Sequence, residues 1–292
     1  MAIDKLQEKI RRLKNPLVVG FTLLPENIPS HITEMAENFL KAYMIYCKEL
    51  LLGLKGVIPA VRFDFNAFSV LGAEGLESLS YILSFAKAQG YYVLLEGVQT
   101  LSEQSAVFAA NAFLNDGCKW EFDGLIISSY IGSDGLRPFV KTLKDSGKDL
   151  FIVVRTGNKS ASELQDLLTG GRLVHMANAD VVNRYAEESV GTSGYSQLGI
   201  MAAASSADSL RNLRAKYKRL FILLDGYDYP NANAKNCSFA FDKLGHGAVA
   251  SAGNSITAAW KQSESKGTEY VKQAVAAAEK ARKNLTRYIS IL

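Results

Sequence analysis

A chain of 292 residues, 48% hydrophobic and 21% charged, has the make-up of an ordinary globular protein with material for a sizeable core, in one large α/β domain or two small ones. Its formal charge of +4 is too small and too evenly spread for a nucleic-acid surface. The cysteines Cys47, Cys118 and Cys237 and the histidines His31, His175 and His246 are too scattered for a redox motif or a local zinc or iron site, so a reducing compartment, no metal and no other cofactor are expected. No uncharged apolar run is long enough for a bilayer and the N-terminus lacks an apolar h-region, which makes a cytoplasmic location without membrane contact the simplest expectation.

Ile3, Leu6, Ile10 and Leu13 recur at helical spacing and stop at Asn15-Pro16, predicting a short amphipathic helix across one end of the fold. Leu17 to Thr22 reads as a buried strand, and a helical pattern runs from about Ile32 to Leu54. Gly56 to Phe63 reads as the second strand, with Pro59 near its entry where a missing donor is least costly. A helix from about Leu71 to Ala88 ends at Gly90, a residue suited to a helix C-terminus. Tyr91 to Leu95 is then a short aromatic and branched run, as a strand buried on both faces should be, and Glu96 is the first charge after it.

The alternation continues with strands at Asp123 to Ser128, Leu150 to Arg155, Leu198 to Ala202, Leu220 to Asp225 and Gly247 to Ser251. Helical patterns fall near Ser102 to Phe113, Leu136 to Asp145, Ala161 to Leu168, Val174 to Ser189 and Ala207 to Tyr217. Strands alternating with helices imply parallel pairing, and about 250 residues is the usual size of one (β/α)8 barrel, so the chain reads as a single α/β TIM barrel over residues 1–292. Residues 1–15 are its packing helix and 268–290 its closing helix. A doubly wound open sheet is the runner-up.

Such a barrel carries its functional groups at the C-terminal ends of the strands. Those ends read Thr22, Arg62 with Asp64, Glu96, Ser128 with Tyr130, Arg155 with Thr156 and Asn158, Ser205, Asp225 with Asp228, and Ser251 with Asn254. Each taken singly suits a cap or a solvated loop; their shared rim makes them candidates for a pocket.

The order of motifs resembles the longer, second subfamily of bacterial orotidine 5'-phosphate decarboxylases over essentially the whole length. The resemblance rests on Asp4-Lys5-Leu6 with Asn15 to Gly20, on Asp123-Gly124-Leu125, and on Tyr130 to Gly135 with Pro138-Phe139. It continues through Arg155-Thr156-Gly157-Asn158, Ser162 to Leu167, Gly226-Tyr227 and Cys237 to Asp242. It implies a TIM barrel that removes carbon dioxide from a pyrimidine nucleotide without a cofactor. It also implies a dimer with the barrel mouths facing. The chemistry leaves negative charge on a ring carbon, which the family meets with an array of lysine and aspartate whose ammonium supplies the proton.

Here the array departs from the pattern. The Asp-x-Lys-x-x-Asp positions after the third strand read Glu96, Val98 and Leu101; the second-strand lysine becomes Arg62 and the first-strand aspartate Thr22. Arg62 stays charged and is a poor proton donor, and Val98 has none to give. By the same alignment Asn254 and Pro230 replace the phosphate arginine and glutamine, and Gly157 stands where a serine would read the pyrimidine. The resemblance leaves Thr22, Ser128, Thr156, Asn158 and Asn254 as candidate binding residues and Arg62 with Glu96 as the altered catalytic pair.

Asp225 and Asp228 bring acid toward the dianion's place, and the amides around Gly253, Asn254 and Ser255 are expected to form at most a weak anion nest. A nucleotide ligand is therefore in question. Three functions follow as expectations: a catalytically degenerate barrel acting by binding or association, with a homodimer through the mouth; a decarboxylase with a reorganised site; or an enzyme of changed chemistry in which Glu96 or Glu103 serves as base near Arg62.

Overall fold

The computed structural model describes residues 1–128, 130–265 and 267–292. Strands β1 (Leu17–Phe21), β2 (Ala60–Asp64), β3 (Tyr92–Val98), β4 (Gly124–Ser128), β5 (Asp149–Arg155), β6 (Leu198–Ala203), β7 (Ile222–Asp225) and β8 (Ala248–Ala252) close into one parallel barrel. Each pairs with its neighbours in chain order, and β8 returns to β1 with Leu17 opposite Ala250. The TIM barrel expected from the alternation is the fold found. Its core consists largely of Val, Leu, Ile and Ala from the strands, with Phe63, Phe151 and Phe221 fully buried, as a parallel sheet covered on its outer face requires.

The helices are α1 (Ala2–Leu13), α2 (Ser30–Met35), α3 (Phe39–Gly53), α4 (Phe65–Ser69), α5 (Gly72–Ala88), α6 (Glu103–Leu114), α7 (Ser133–Ser146), α8 (Val174–Ala186), α9 (Ala207–Lys216), α10 (Ala234–Ser238), α11 (Asn254–Thr257) and α12 (Tyr270–Thr286). The single helix expected from Ile32 to Leu54 is divided. Asn38 adopts an extended backbone and its side chain accepts from Lys41 N at 2.9 Å, so it starts α3 rather than continuing α2. The helix expected over Ala161 to Leu168 is replaced by a 3-10 turn at Lys159–Glu163 and a small hairpin joining Leu168–Thr169 to Arg172–Leu173. Gly170 and Gly171, at φ 54° and 78°, make that hairpin's reversal possible.

At the end of the barrel opposite the mouth, α1 lies as a plug with Ile3, Leu6 and Ile10 buried. Asp4 accepts from Ser193 N at 2.8 Å and Gln7 Oε1 accepts from Gly247 N at 3.0 Å, tying the helix to loops that precede β6 and β8. Beneath it, Tyr92 donates to the fully buried Asp149 at 2.6 Å. Among the described residues no helix is long and apolar enough to cross a membrane.

Candidate functional site at the barrel mouth

The end of β3 organises the mouth. Between Leu95 and Val98 the pairing with β4 gains one residue, since Leu95 faces Leu125 and Val98 faces Ile127. This bulge needs Gly97 at φ 94°, where an added Cβ would lie 2.4 Å from an Asp64 oxygen. The bulge lets Glu96 face Arg62 while Val98, only two residues on, is buried at 7% exposure.

Arg62 spans the mouth from β2. Its Nε lies 2.8 Å from Glu96 Oε1 on β3, and its Nη1 donates to Asp225 Oδ1 on β7 at 2.8 Å. All three side chains are largely buried, at 15%, 21% and 12% exposure. The two carboxylates hold the guanidinium's pKa above its ordinary value against the opposing effect of burial. Burial, with Asp225 and Asp64 nearby, pushes Glu96 up to about 7 despite the pull of Arg62. Arg62 is thus a fixed charge, whereas Glu96 is able to change protonation state near neutral pH.

A polar chamber of about 650 Å³ lies on one side of this bridge, bounded by the ends of β1, β2, β7 and β8. It contains Thr22 and Asn254. Thr22 donates to Asn254 Oδ1 at 3.2 Å, and Asn27 donates to the same oxygen at 2.9 Å while receiving Lys261 Nζ at 3.0 Å. The anion nest expected around Gly253 to Ser255 is present but filled from within: Asp228 Oδ2 accepts from Gly253 N at 2.9 Å and Ser255 N at 3.2 Å. Asp228, Asp225, Asp64 and Glu96 set four carboxyl groups against Arg62 and Lys261 around this chamber.

On the other side, Glu96 also borders an apolar chamber of about 400 Å³ under the ends of β3 to β6. Val98, Leu101 and Ser128 line it. Leu101 is 86% exposed at its rim, so it does not close the mouth. Among the described residues Glu96 is the one charge on this lining.

The remaining candidates are drawn elsewhere. Thr156 donates to Asn158, and Gln165 closes on Thr156 from both sides, accepting from its amide at 2.8 Å and donating to its hydroxyl at 2.9 Å. Arg155 makes a two-pronged pair with Asp166 at 3.0 and 2.7 Å, which clamps the same segment. Neither Thr156 nor Asn158 lines either chamber. Glu103 opens α6 on the exposed surface and borders neither chamber. Asn27, Thr100 and Lys261 are not among the sequence candidates, because Asn27 and Lys261 sit in short 3-10 turns and Thr100 in a loop, whose paths the alternation of strands and helices does not define. Among the described residues no cluster of three or more His, Cys, Asp or Glu is arranged for a metal ion.

No family model matches the chain. It is 28% identical over 246 residues to an orotidine 5'-phosphate decarboxylase of Rhodopirellula baltica, covering 82% of each chain. A second relative of that name, from Caldicellulosiruptor saccharolyticus, is 24% identical over 273 residues, covering 88% of this chain and 90% of its own. Among solved structures, an orotidine-monophosphate-decarboxylase described as putative, from Toxoplasma gondii, superposes with a TM-score of 0.79 at 21% identity over 98% of both chains. A putative orotidine 5'-phosphate decarboxylase from Streptomyces avermitilis superposes with a TM-score of 0.80 at 19% identity over 99% of this chain and 96% of its own. These structures share the barrel.

Proposed function

The chain is a homologue of orotidine 5'-phosphate decarboxylases, and from that premise we propose that it has kept their barrel, lost their decarboxylation, and acts by binding or association. The observation that carries this reading is the state of Arg62. In that family a lysine ammonium is expected both to stabilise the carbanion left by carbon dioxide and to give it a proton. Arg62 is tied to Glu96 and Asp225 and is held more firmly protonated than a free guanidinium, while the buried Val98 offers no ammonium in its place.

The phosphate end supports the same reading, because Asp228 already takes the Gly253 and Ser255 amides that a dianion would use. The exposed side chains Leu101, Phe108, Tyr130 and Ile131 on the β3 and β4 side of the mouth support self-association there, as a homodimer through the barrel mouth.

The test is turnover of orotidine 5'-monophosphate by the purified protein, alongside thermal melting in millimolar uridine 5'-monophosphate. No turnover and no rise in Tm are expected. Turnover near the rates of ordinary enzymes, or uracil-free growth of a decarboxylase-deficient strain carrying the gene, would restore the decarboxylase reading with a reorganised site. One observation favours a second reading, an enzyme of changed chemistry: Glu96, pushed up to about 7 beside Arg62, has the proton affinity of a general acid or base working near neutral pH.

A further inference from the structure

A larger concavity lies outside the mouth. It occupies about 1020 Å³ between α12 and the segment from β7 to α10, and a wall that includes Asp228, Tyr229 and Ser255 separates it from the polar chamber. Along α12 its lining takes in Gln273, Ala277, Lys280, Asn284 and Arg287, the three- and four-residue spacing of a single helix face. The Asn284 side chain meets the Tyr227 hydroxyl on the β7 segment, so this face is the one turned toward the concavity. Lys280 and Arg287 stand four residues before Asn284 and three after it, on the same face.

Three cations therefore line the groove, Lys235 from the start of α10 with Lys280 and Arg287 from α12. All three are exposed, and among the described residues none of their side chains has an ion pair or a hydrogen bond. Glu279 and Arg282, elsewhere on α12, pair with each other instead. The one carboxylate among the described lining residues, Asp228, is turned to the Gly253 and Ser255 amides. Positive charges gathered in a concavity without their own counter-charges draw an anion to it.

We propose that this groove binds a compact polyanion, a molecule of two or three linked phosphoryl or carboxylate groups. Helical rise roots Lys280 and Arg287 about 10 Å apart. A single anionic group that met both would have to draw both side chains along the helix, whereas a short chain of such groups spans them and reaches Lys235 on the opposite bank. The planar guanidinium of Arg287 suits the oxygens of either group. The site lies outside the mouth and goes beyond the function proposed for it.

The probes are tripolyphosphate and citrate, titrated into the full chain by isothermal calorimetry in metal-free buffer at constant ionic strength, with inorganic phosphate as the single-group control. Saturable binding of at least one polyanion is expected, roughly ten-fold tighter than that of inorganic phosphate. The tighter of the two identifies the source of the charge. Lys280→Gln combined with Arg287→Gln is expected to weaken that binding about ten-fold. Arg282→Gln removes a charge from the same helix but not from the groove's lining, and is expected to change binding by less than about two-fold because salt screens it. Circular dichroism establishes that the variants fold.

Absence of saturable binding by either polyanion, or inorganic phosphate binding as tightly as both, would overturn the proposal. So would a double variant that binds as the parent does, or a loss in Arg282→Gln equal to that of the double variant. Turnover of orotidine 5'-monophosphate would overturn the functional reading of the mouth and leave this groove untouched, so the two failures are separable.

Discussion

Arg62 shows how one side chain sets the electrostatics of a site. Its two carboxylate partners come from strands on either side of the mouth, and all three groups are mostly shielded from water. Removing the guanidinium would leave two partly buried acids facing each other. Arg62→Met is therefore expected to cost about 3 kcal/mol in urea unfolding, and to raise the Glu96 pKa further above about 7, since the group that pulls it down is gone. Carbon-13 NMR of the Glu96 carboxyl reads the second effect, and a downward shift would refute it.

Asp149 offers a cleaner pH signature. Burial pushes its carboxyl up to about 8 from an ordinary 3.8, so the folded state keeps a proton that the unfolded chain releases. The stability tied to that proton is complete below the unfolded value and is lost as pH rises through the folded one. The difference in Tm between Asp149→Asn and the unaltered protein should accordingly move in the variant's favour from pH 4 to pH 8 and then level off. Parallel Tm curves would refute it.

At the scale of elements, the strand that matters most for the site is also the irregular one. The β3 bulge depends on Gly97, whose backbone at φ 94° and close approach to Asp64 leave no room for a methyl group. Gly97→Ala is expected to destabilise the protein by about 2 kcal/mol or more. It should also loosen the Arg62 and Glu96 pair, seen as altered chemical shifts confined to the ends of β2 and β3.

The eight strands were legible in the sequence because a strand buried on both faces leaves an uninterrupted apolar run, and helices between them leave a 3.6-residue period. Their edges were less legible. The second strand was expected from Gly56 but pairs only from Ala60, because Val57 O is taken by the Asn15 side chain. Residues 161–168 have a helical pattern, yet Gln165 and Asp166 turn back to hold Thr156 and Arg155. That long-range use of polar side chains also explains why Thr156 and Asn158 are not in a chamber. Arg62, Glu96, Thr22 and Asn254 were readable as strand-end residues near one rim. The filling of the Gly253 amide nest by Asp228 depends on the loop between β7 and α10, whose path no periodicity encodes.

For the molecule as a whole, the mouth carries both the chambers and a set of exposed apolar side chains that includes Leu101, Tyr130 and Ile131, while α1 seals the opposite end. Self-association is therefore expected at the mouth. Leu101 and Phe108, at 86% and 66% exposure, are the places to test it. The unaltered protein is expected to sediment as a dimer at micromolar concentration, and Leu101→Glu combined with Phe108→Glu as a monomer with an unchanged circular dichroism spectrum. A monomeric parent or a dimeric variant would each refute the mouth as the interface.

The link from β2 to β3 and across to β7 has a mechanical consequence as well. It acts as a tie-beam: the β2 tip can leave β3 only by losing the Arg62–Glu96 pair and can leave β7 only by losing the Arg62–Asp225 pair, so movement of any one tip is expected to be resisted through the shared guanidinium. Amide hydrogen exchange at Phe63, Gly97 and Gly226 would then be slowed by the beam, and cutting it at Asp225 would quicken exchange at Gly226.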